Sequence, residues 1–297
     1  MNPLNIGLTE KTQVFTENGW KEMKDLDEFD KVANIDEDNT FYFSDNYSVH
    51  PYSYNNYMYQ IKNPHLNAMF PCDSFMYSEK KYGYKNWDIV NSIDSSSYNL
   101  KTTSQYQFPV KKRKEDDDRL QGYMDGLLYV HGIKCIDEGY IHLTSSFRRY
   151  RECLFYMFLD NAIYKEQNNI HIIRIPYTTI NIIHKEKLYE HILSHTFDYA
   201  FGFFMSFYDF YGKYLYVGLD EHEFDKIEWI ATLLGYNLVI DKENCVNLGK
   251  NIISVNKHVK EDSFVRYQGT LYNFTNETGK TLILHNYKNL VAAVNKF

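Results

Sequence analysis

Two helical stretches at a fixed offset constrain this chain more than any other feature. In residues 120–132 (LQGYMDGLLYVHG), Leu120, Tyr123, Met124, Leu127, Leu128 and His131 fall on one helical stripe. Gly122 and Gly126 sit four apart on a neighbouring face. Glycine inside a helix costs about 1 kcal/mol relative to alanine, so two of them need a reason, and close approach of another backbone supplies one. Eighty positions later, residues 201–212 (FGFFMSFYDFYG) repeat the arrangement, with Gly202 and Ser206 standing for Gly122 and Gly126, and Gly212 for Gly132. The pattern predicts two helices packed through small-residue faces about a pseudo-twofold axis.

Residues 126–132 (GLLYVHG) and 206–212 (SFYDFYG) resemble two degenerate copies of the GLIDADG half of the LAGLIDADG motif of homing endonucleases. The resemblance implies a two-repeat αββα domain that grips double-stranded DNA and cuts it with Mg²⁺. The ions are held by the last acid of each motif. His131 and Tyr211 occupy those positions, or Phe207 if the second copy is slid to residues 202–208, and neither register supplies a carboxylate. Asp209 matches the non-catalytic acid of the motif, with Tyr129 as its counterpart, and is a metal ligand only if the chain is an active nuclease.

The start of the chain carries a second resemblance. Thr9, Thr12, Val14, Thr16 and Gly19, then Asp30 and Val32, are similar to the opening block of an intein, or Hint domain. Gly7 stands where that family has its self-splicing cysteine. Ser74, or Asp73 in a shifted register, stands where a histidine polarises the scissile amide. Near the other end, residues 264–286 are similar to the closing intein blocks, with His285 and Asn286 in the assisting and cyclising positions. Tyr287 follows where Cys, Ser or Thr is expected. Splicing needs a nucleophile at each junction, so the resemblance implies a splicing scaffold without its chemistry, and no catalytic residue is expected. Asn286 cyclisation alone would release residues 287–297, and the sequence leaves that open; His285 is then structural or surface-exposed.

Charge limits the DNA reading. The net charge is −7, with 32 Lys and Arg against 39 Asp and Glu, which speaks against a broad phosphate-binding surface. Residues 111–250 hold 17 Lys and Arg against 21 Asp and Glu, so −4, and the rest 15 against 18, so −3. The candidate nucleic-acid contacts are Lys111, Lys112, Arg113 and Lys114, followed at once by the acidic residues 115–118, and Arg148, Arg149 and Arg151. The four cysteines form no CxxC pair, so no zinc site is expected. Neither a signal peptide nor a membrane span is evident, which predicts an intracellular protein, cytoplasmic or associated with a virion, and no membrane partner. The 28 tyrosines, with abundant Asn, Ile and Lys, fit an AT-rich phage, viral or organellar genome.

The expected fold is α+β: a split Hint-type β domain (1–110 and 245–297) with a two-repeat αββα LAGLIDADG-like domain (111–244) inserted. Several short strands are expected in 40–110. A strand at 140–144, a helix from 145 to about 164, strands at 169–175 and 178–183, and a helix at 186–193 follow. After the second motif helix come a strand at 213–217, a helix at 221–234 and a strand at 237–240. Three functions follow as alternatives: a non-catalytic structural or adaptor subunit bound to protein partners, a non-cleaving double-stranded DNA-binding protein, or an active endonuclease with substituted metal ligands.

Overall fold

The computed structural model describes residues 7–63, 66–72, 74–80, 87–91, 98–101, 103–110, 115–131, 133–135, 140–145, 163–167, 170–176, 183–241, 243–249, 252–254, 263–285 and 288–293. The fold is α+β, in two compact units: residues 1–107 with 216–297, and residues 108–215.

The first unit is mostly strand. In order it holds β1 (Gly7–Thr9), β2 (Gln13–Thr16), β3 (Gly19–Glu22), β4 (Val32–Ile35), β5 (Thr40–Ser44), β6 (Tyr47–Asn63), β7 (Leu66–Pro71), β8 (Phe75–Lys80), β9 (Trp87–Asn91), β10 (Tyr98–Lys101) and β11 (Gln105–Tyr106). The second unit contributes α1 (Glu115–His131), β12 (Ile133–Cys135), β13 (Tyr140–Ser145), β14 (Ile163–Gln167), β15 (Ile170–Pro176) and α2 (Phe197–Tyr211). The chain then returns to the first unit through α3 (Glu221–Leu233), β16 (Asn237–Ile240), β17 (Val246–Gly249), β18 (Ile252–Ser254), β19 (Ser263–Asn276), β20 (Lys280–His285) and β21 (Lys288–Ala293).

Strands from the two ends of the sequence share sheets. One sheet runs β1-β19-β6-β7. A larger one runs β11-β5-β4-β2-β20-β21-β8-β10-β18, with β3 on β2 and β9 on β8. Gly7 pairs with Asn273, and Val14 with Ile283. Apolar residues alternate along these strands, so their inward members meet. Leu8, Val14, Val32, Ile61, Phe70, Phe274 and Ile283 pack into one core, and each is at most 1% exposed. A fully buried side chain of this size contributes about 1.5–3 kcal/mol, so this core commits both ends of the chain to one unit.

Helix α3 belongs to the same unit. Asp220 caps it by accepting from the Glu223 amide at 2.8 Å. Trp229 donates its indole N–H to the Thr16 carbonyl at 3.0 Å and lies 6.3 Å from the Phe15 ring. Thr103 Oγ1 donates to the Gly235 carbonyl at 2.7 Å. These bonds explain why the compact units divide at 107/108 and 215/216, where the sequence placed the boundaries at 110/111 and 244/245.

Several sequence expectations are corrected. The strand expected at 213–217 is a 3-10 turn, Gly212–Tyr214, followed by a short helix, Leu215–Gly218. Only Leu215 is buried there, while Tyr214 and Val217 are exposed, so no alternating face is available to a sheet. Ile163–Gln167 is strand β14, paired along β15, so residues 163 and 164 are strand where the end of a helix was expected; residues 146–162 and the expected strand residues 178–182 lie outside the described residues. The helix expected from 186 opens as a 3-10 turn, Lys185–Lys187, and becomes α-helical at Leu188–Leu193. Within 40–110 the strands are not all short: β6 runs 17 residues, because β19 pairs with it from Asn276 to Ser263. The second unit has one antiparallel sheet among the described residues, ordered β12-β13-β15-β14 and following α1. The chain after α2 runs into the short helices, so an αββα pattern is not repeated there.

Candidate functional site

Helices α1 and α2 pack through their small residues. A Cβ built on Gly122 would overlap the Tyr199 carbonyl oxygen and lie 3.0 Å from the Tyr199 Cα. One on Gly202 would overlap the Arg119 carbonyl oxygen and lie 2.9 Å from the Tyr123 nitrogen. One on Gly126 would lie 2.7 Å from the Phe203 carbonyl oxygen and 3.1 Å from the Ser206 Cβ. These contacts are symmetric under the eighty-residue offset. Gly122 with Tyr199 becomes Gly202 with Arg119, and Gly126 with Ser206 maps onto itself. Tyr123, which donates to Asp209 Oδ2 at 3.2 Å, maps with its partner onto Phe203 and Tyr129, whose rings lie 5.6 Å apart. The helices run in the same direction, since contacts advance together along both. Thr196 caps α2, accepting from the Tyr199 amide at 3.3 Å and donating to Asp118 at 2.8 Å. Gly212, at φ +56°, ends it.

His131 is the last residue of α1 and Tyr211 the last of α2. Mg²⁺ takes oxygen ligands, carboxylates above all. An imidazole and a phenol at the two motif positions do not fit it, and Asp209, two residues before Tyr211, is held by the Tyr123 hydroxyl. Among the described residues, no group of three His, Cys, Asp and Glu is arranged to share an ion. Lys111, Lys112, Arg113, Lys114, Arg148, Arg149 and Arg151 lie outside the described residues.

The interface also holds a hydrogen-bonded chain that pattern reading passed over. Asp125 is 5% exposed and accepts from Gln121 Nε2 at 2.8 Å and from the Tyr199 hydroxyl at 2.6 Å. Because Tyr199 spends its proton on Asp125, His191 Nε2, 2.8 Å from the phenol oxygen, must be the donor there. His195 stacks on Tyr199 at 4.0 Å and donates from Nδ1 to the His191 carbonyl at 2.7 Å. Burial raises the Asp125 carboxyl, opposed by the bonds from Tyr199 and Gln121. Burial, then the Asp125 charge, pushes the Tyr199 phenol upward, so it keeps its proton. The network therefore ties α1, α2 and the short helix Leu188–Leu193 together, with Asp125 and Tyr199 buried and His191 and His195 half-buried. Its sequence signal was an acid, Asp125, one position off a packing stripe.

In the β unit, Gly7 is buried at the start of β1. A Cβ there would meet the Tyr52 hydroxyl, with Pro71 Cγ at 2.7 Å and Leu271 Cδ1 at 2.8 Å. The Ser74 amide donates to the Pro71 carbonyl at 3.0 Å, so Gly7 and Ser74 flank the same proline. Ser74 is fully buried, and its hydroxyl has no partner among the described residues. Cys72 is half-buried, with Sγ 3.4 Å from the Tyr57 carbonyl. His285 ends β20, and Asn286 lies outside the described residues.

Protein-family models yield no match to this sequence, and no curated protein matches it. Among the described residues, no helix is long and apolar enough to cross a membrane.

Proposed function

We propose that this chain descends from an intein carrying a LAGLIDADG homing endonuclease, has lost both activities, and serves as a non-catalytic structural or adaptor subunit of a larger assembly, intracellular or virion-associated. The observation that carries the reading is at Gly7. Three side chains, Tyr52, Pro71 and Leu271, occupy the place where a first-residue nucleophile would begin. A cysteine there would require the ends of these side chains to shift. The pairing of β1 and β2 with β19 and β20 is what a split Hint-type module requires, and the symmetric contacts of α1 and α2 are what a LAGLIDADG helix pair requires. The unmatched donors at His131 and Tyr211 support the loss of cleavage. Protein is the favoured partner because the chain is acidic overall.

The test is incubation of the full chain with duplex DNA and Mg²⁺, with binding and cleavage read separately. Neither is expected. Cleavage abolished by Asp209→Ala would establish an active endonuclease instead, and salt-sensitive binding without cleavage would establish a DNA-binding protein.

A further inference from the structure

The ladder between β6 and β19 contains a stretch with no third strand. β1 covers β19 only at Leu271–Asn273, and β7 covers β6 only from Met58 onward. Residues 53–57 of β6 face residues 266–270 of β19 as a bare two-stranded ribbon, open on both edges among the described residues. None of these ten residues is buried. Folded proteins ordinarily guard such edges with lysine, proline or a covering element. Here the residues are Ser, Tyr, Asn, Asn and Tyr opposite Arg, Tyr, Gln, Gly and Thr. Tyrosine, serine, asparagine and glycine with an occasional arginine is the composition of binding surfaces that use rigid aromatic anchors and adaptable polar groups.

One face of the ribbon is the richer. Arg266 lies opposite Tyr57, and Phe264 opposite Tyr59, so these side chains share a face. Tyr57 is 54% and Phe264 57% exposed. Neither β6 nor β19 from Phe264 onward contains an acid, in a chain with 39 of them; the nearest felt there is Glu10, just beyond β1, whose charge helps to raise the Tyr267 phenol on the face opposite Arg266. Arg266 is exposed, with no ion-pair partner among the described residues. The open edge offers main-chain donors and acceptors, although the Thr270 carbonyl already accepts from the Tyr267 hydroxyl at 3.4 Å; Phe264 and Tyr57 offer apolar anchors, and Arg266 offers one charge that no described residue pairs.

We infer that the edge of β19 at residues 266–270 captures an extended acidic segment of another protein, which adds as a further strand and sets a carboxylate against Arg266. Main-chain bonds would supply affinity and the alternating side chains specificity. A single arginine favours this occupant over a nucleic acid, whose backbone calls for several cations. The inference rests on the reading of the chain as a protein-binding module, but strand capture and DNA cleavage are separate measurements and either can fail alone.

The probe is a fluorescent peptide of alternating Thr and Glu, titrated against the full chain by anisotropy, with amide hydrogen exchange recorded on the complex. Binding with slowed exchange at residues 266–270 is expected. Arg266→Glu, at an exposed site, should keep the wild-type circular dichroism and weaken binding about tenfold or more. Methylating alternate backbone nitrogens of the peptide should weaken it comparably, because the side chains remain while the ladder is lost. Absence of binding up to about 1 mM peptide, equal binding of the methylated peptide, or equal binding of an alternating Thr and Lys peptide overturns the inference. Arg266-dependent capture of a short oligothymidylate in place of the peptide also overturns it and marks a nucleic-acid surface.

Discussion

Glu228 should make the β unit lose stability as pH rises through neutrality. It lies on α3 at 3% exposure, and its Oε1 has no hydrogen-bond partner among the described residues. Burial, reinforced by the Asp225 charge, raises its carboxyl from 4.5 to about 8. The folded chain therefore holds this proton more tightly than the unfolded chain does. The stability it contributes is complete below 4.5 and is lost progressively until pH passes about 8. At about 1.4 kcal/mol per pH unit, the interval amounts to about 5 kcal/mol. That is as large as the whole stability of many domains, about 5–15 kcal/mol. Glu228→Gln keeps the shape and removes the titration. Near pH 5 the two proteins should unfold in urea within about 1 kcal/mol of each other, and near pH 9 the glutamine variant should be the more stable by up to about 5 kcal/mol. Tryptophan fluorescence is a clean probe because Trp20, Trp87 and Trp229 all belong to this unit. Parallel pH profiles for the two proteins, or a glutamine variant less stable near pH 9, would refute the reasoning.

The helix interface gives three more predictions. Gly122→Ala and Gly202→Ala should each cost about 1–2 kcal/mol despite the better helix propensity of alanine, because the added methyl meets backbone that cannot step aside; urea unfolding followed by far-UV circular dichroism would show it, and stabilisation by either would contradict the packing. The two losses should be alike, since the contacts are related by the eighty-residue offset. Tyr199→Phe should cost about 1–3 kcal/mol by removing the hydroxyl that buried Asp125 accepts from, with faster amide exchange in both α1 and α2 as the readout; unchanged exchange would count against the network.

The parts of the fold legible in sequence were those where one residue type has one physical use. Glycines on a helix face announce a close backbone, and those at Gly122, Gly126 and Gly202 stand against another helix. Thr12, Val14 and Thr16 alternate as a strand does, where β2 lies, and Asn18-Gly19 is a turn signal, where the chain turns into β3. The misses share a cause. Residues 213–217 are rich in strand formers, but a strand exists only where a partner edge and a buried face are provided, and neither is. α3 looked like part of an inserted domain because its pattern repeats a helix, yet its assignment depends on Trp229 finding the Thr16 carbonyl, a contact between residues 213 positions apart. The bond between Asp125 and Tyr199 was illegible for the same reason, since it joins residues 74 positions apart. The closed space at Gly7 depends on Tyr52, Pro71 and Leu271, which sequence alone does not bring together.

A splicing scaffold without working chemistry should leave the chain uncut, and intact-protein mass spectrometry reads this. The purified chain is incubated at neutral pH, with and without dithiothreitol, and its mass is followed with time. The account predicts one unchanged species with the mass of all 297 residues. A product ending at Asn286, or one beginning at Gly7, would contradict it.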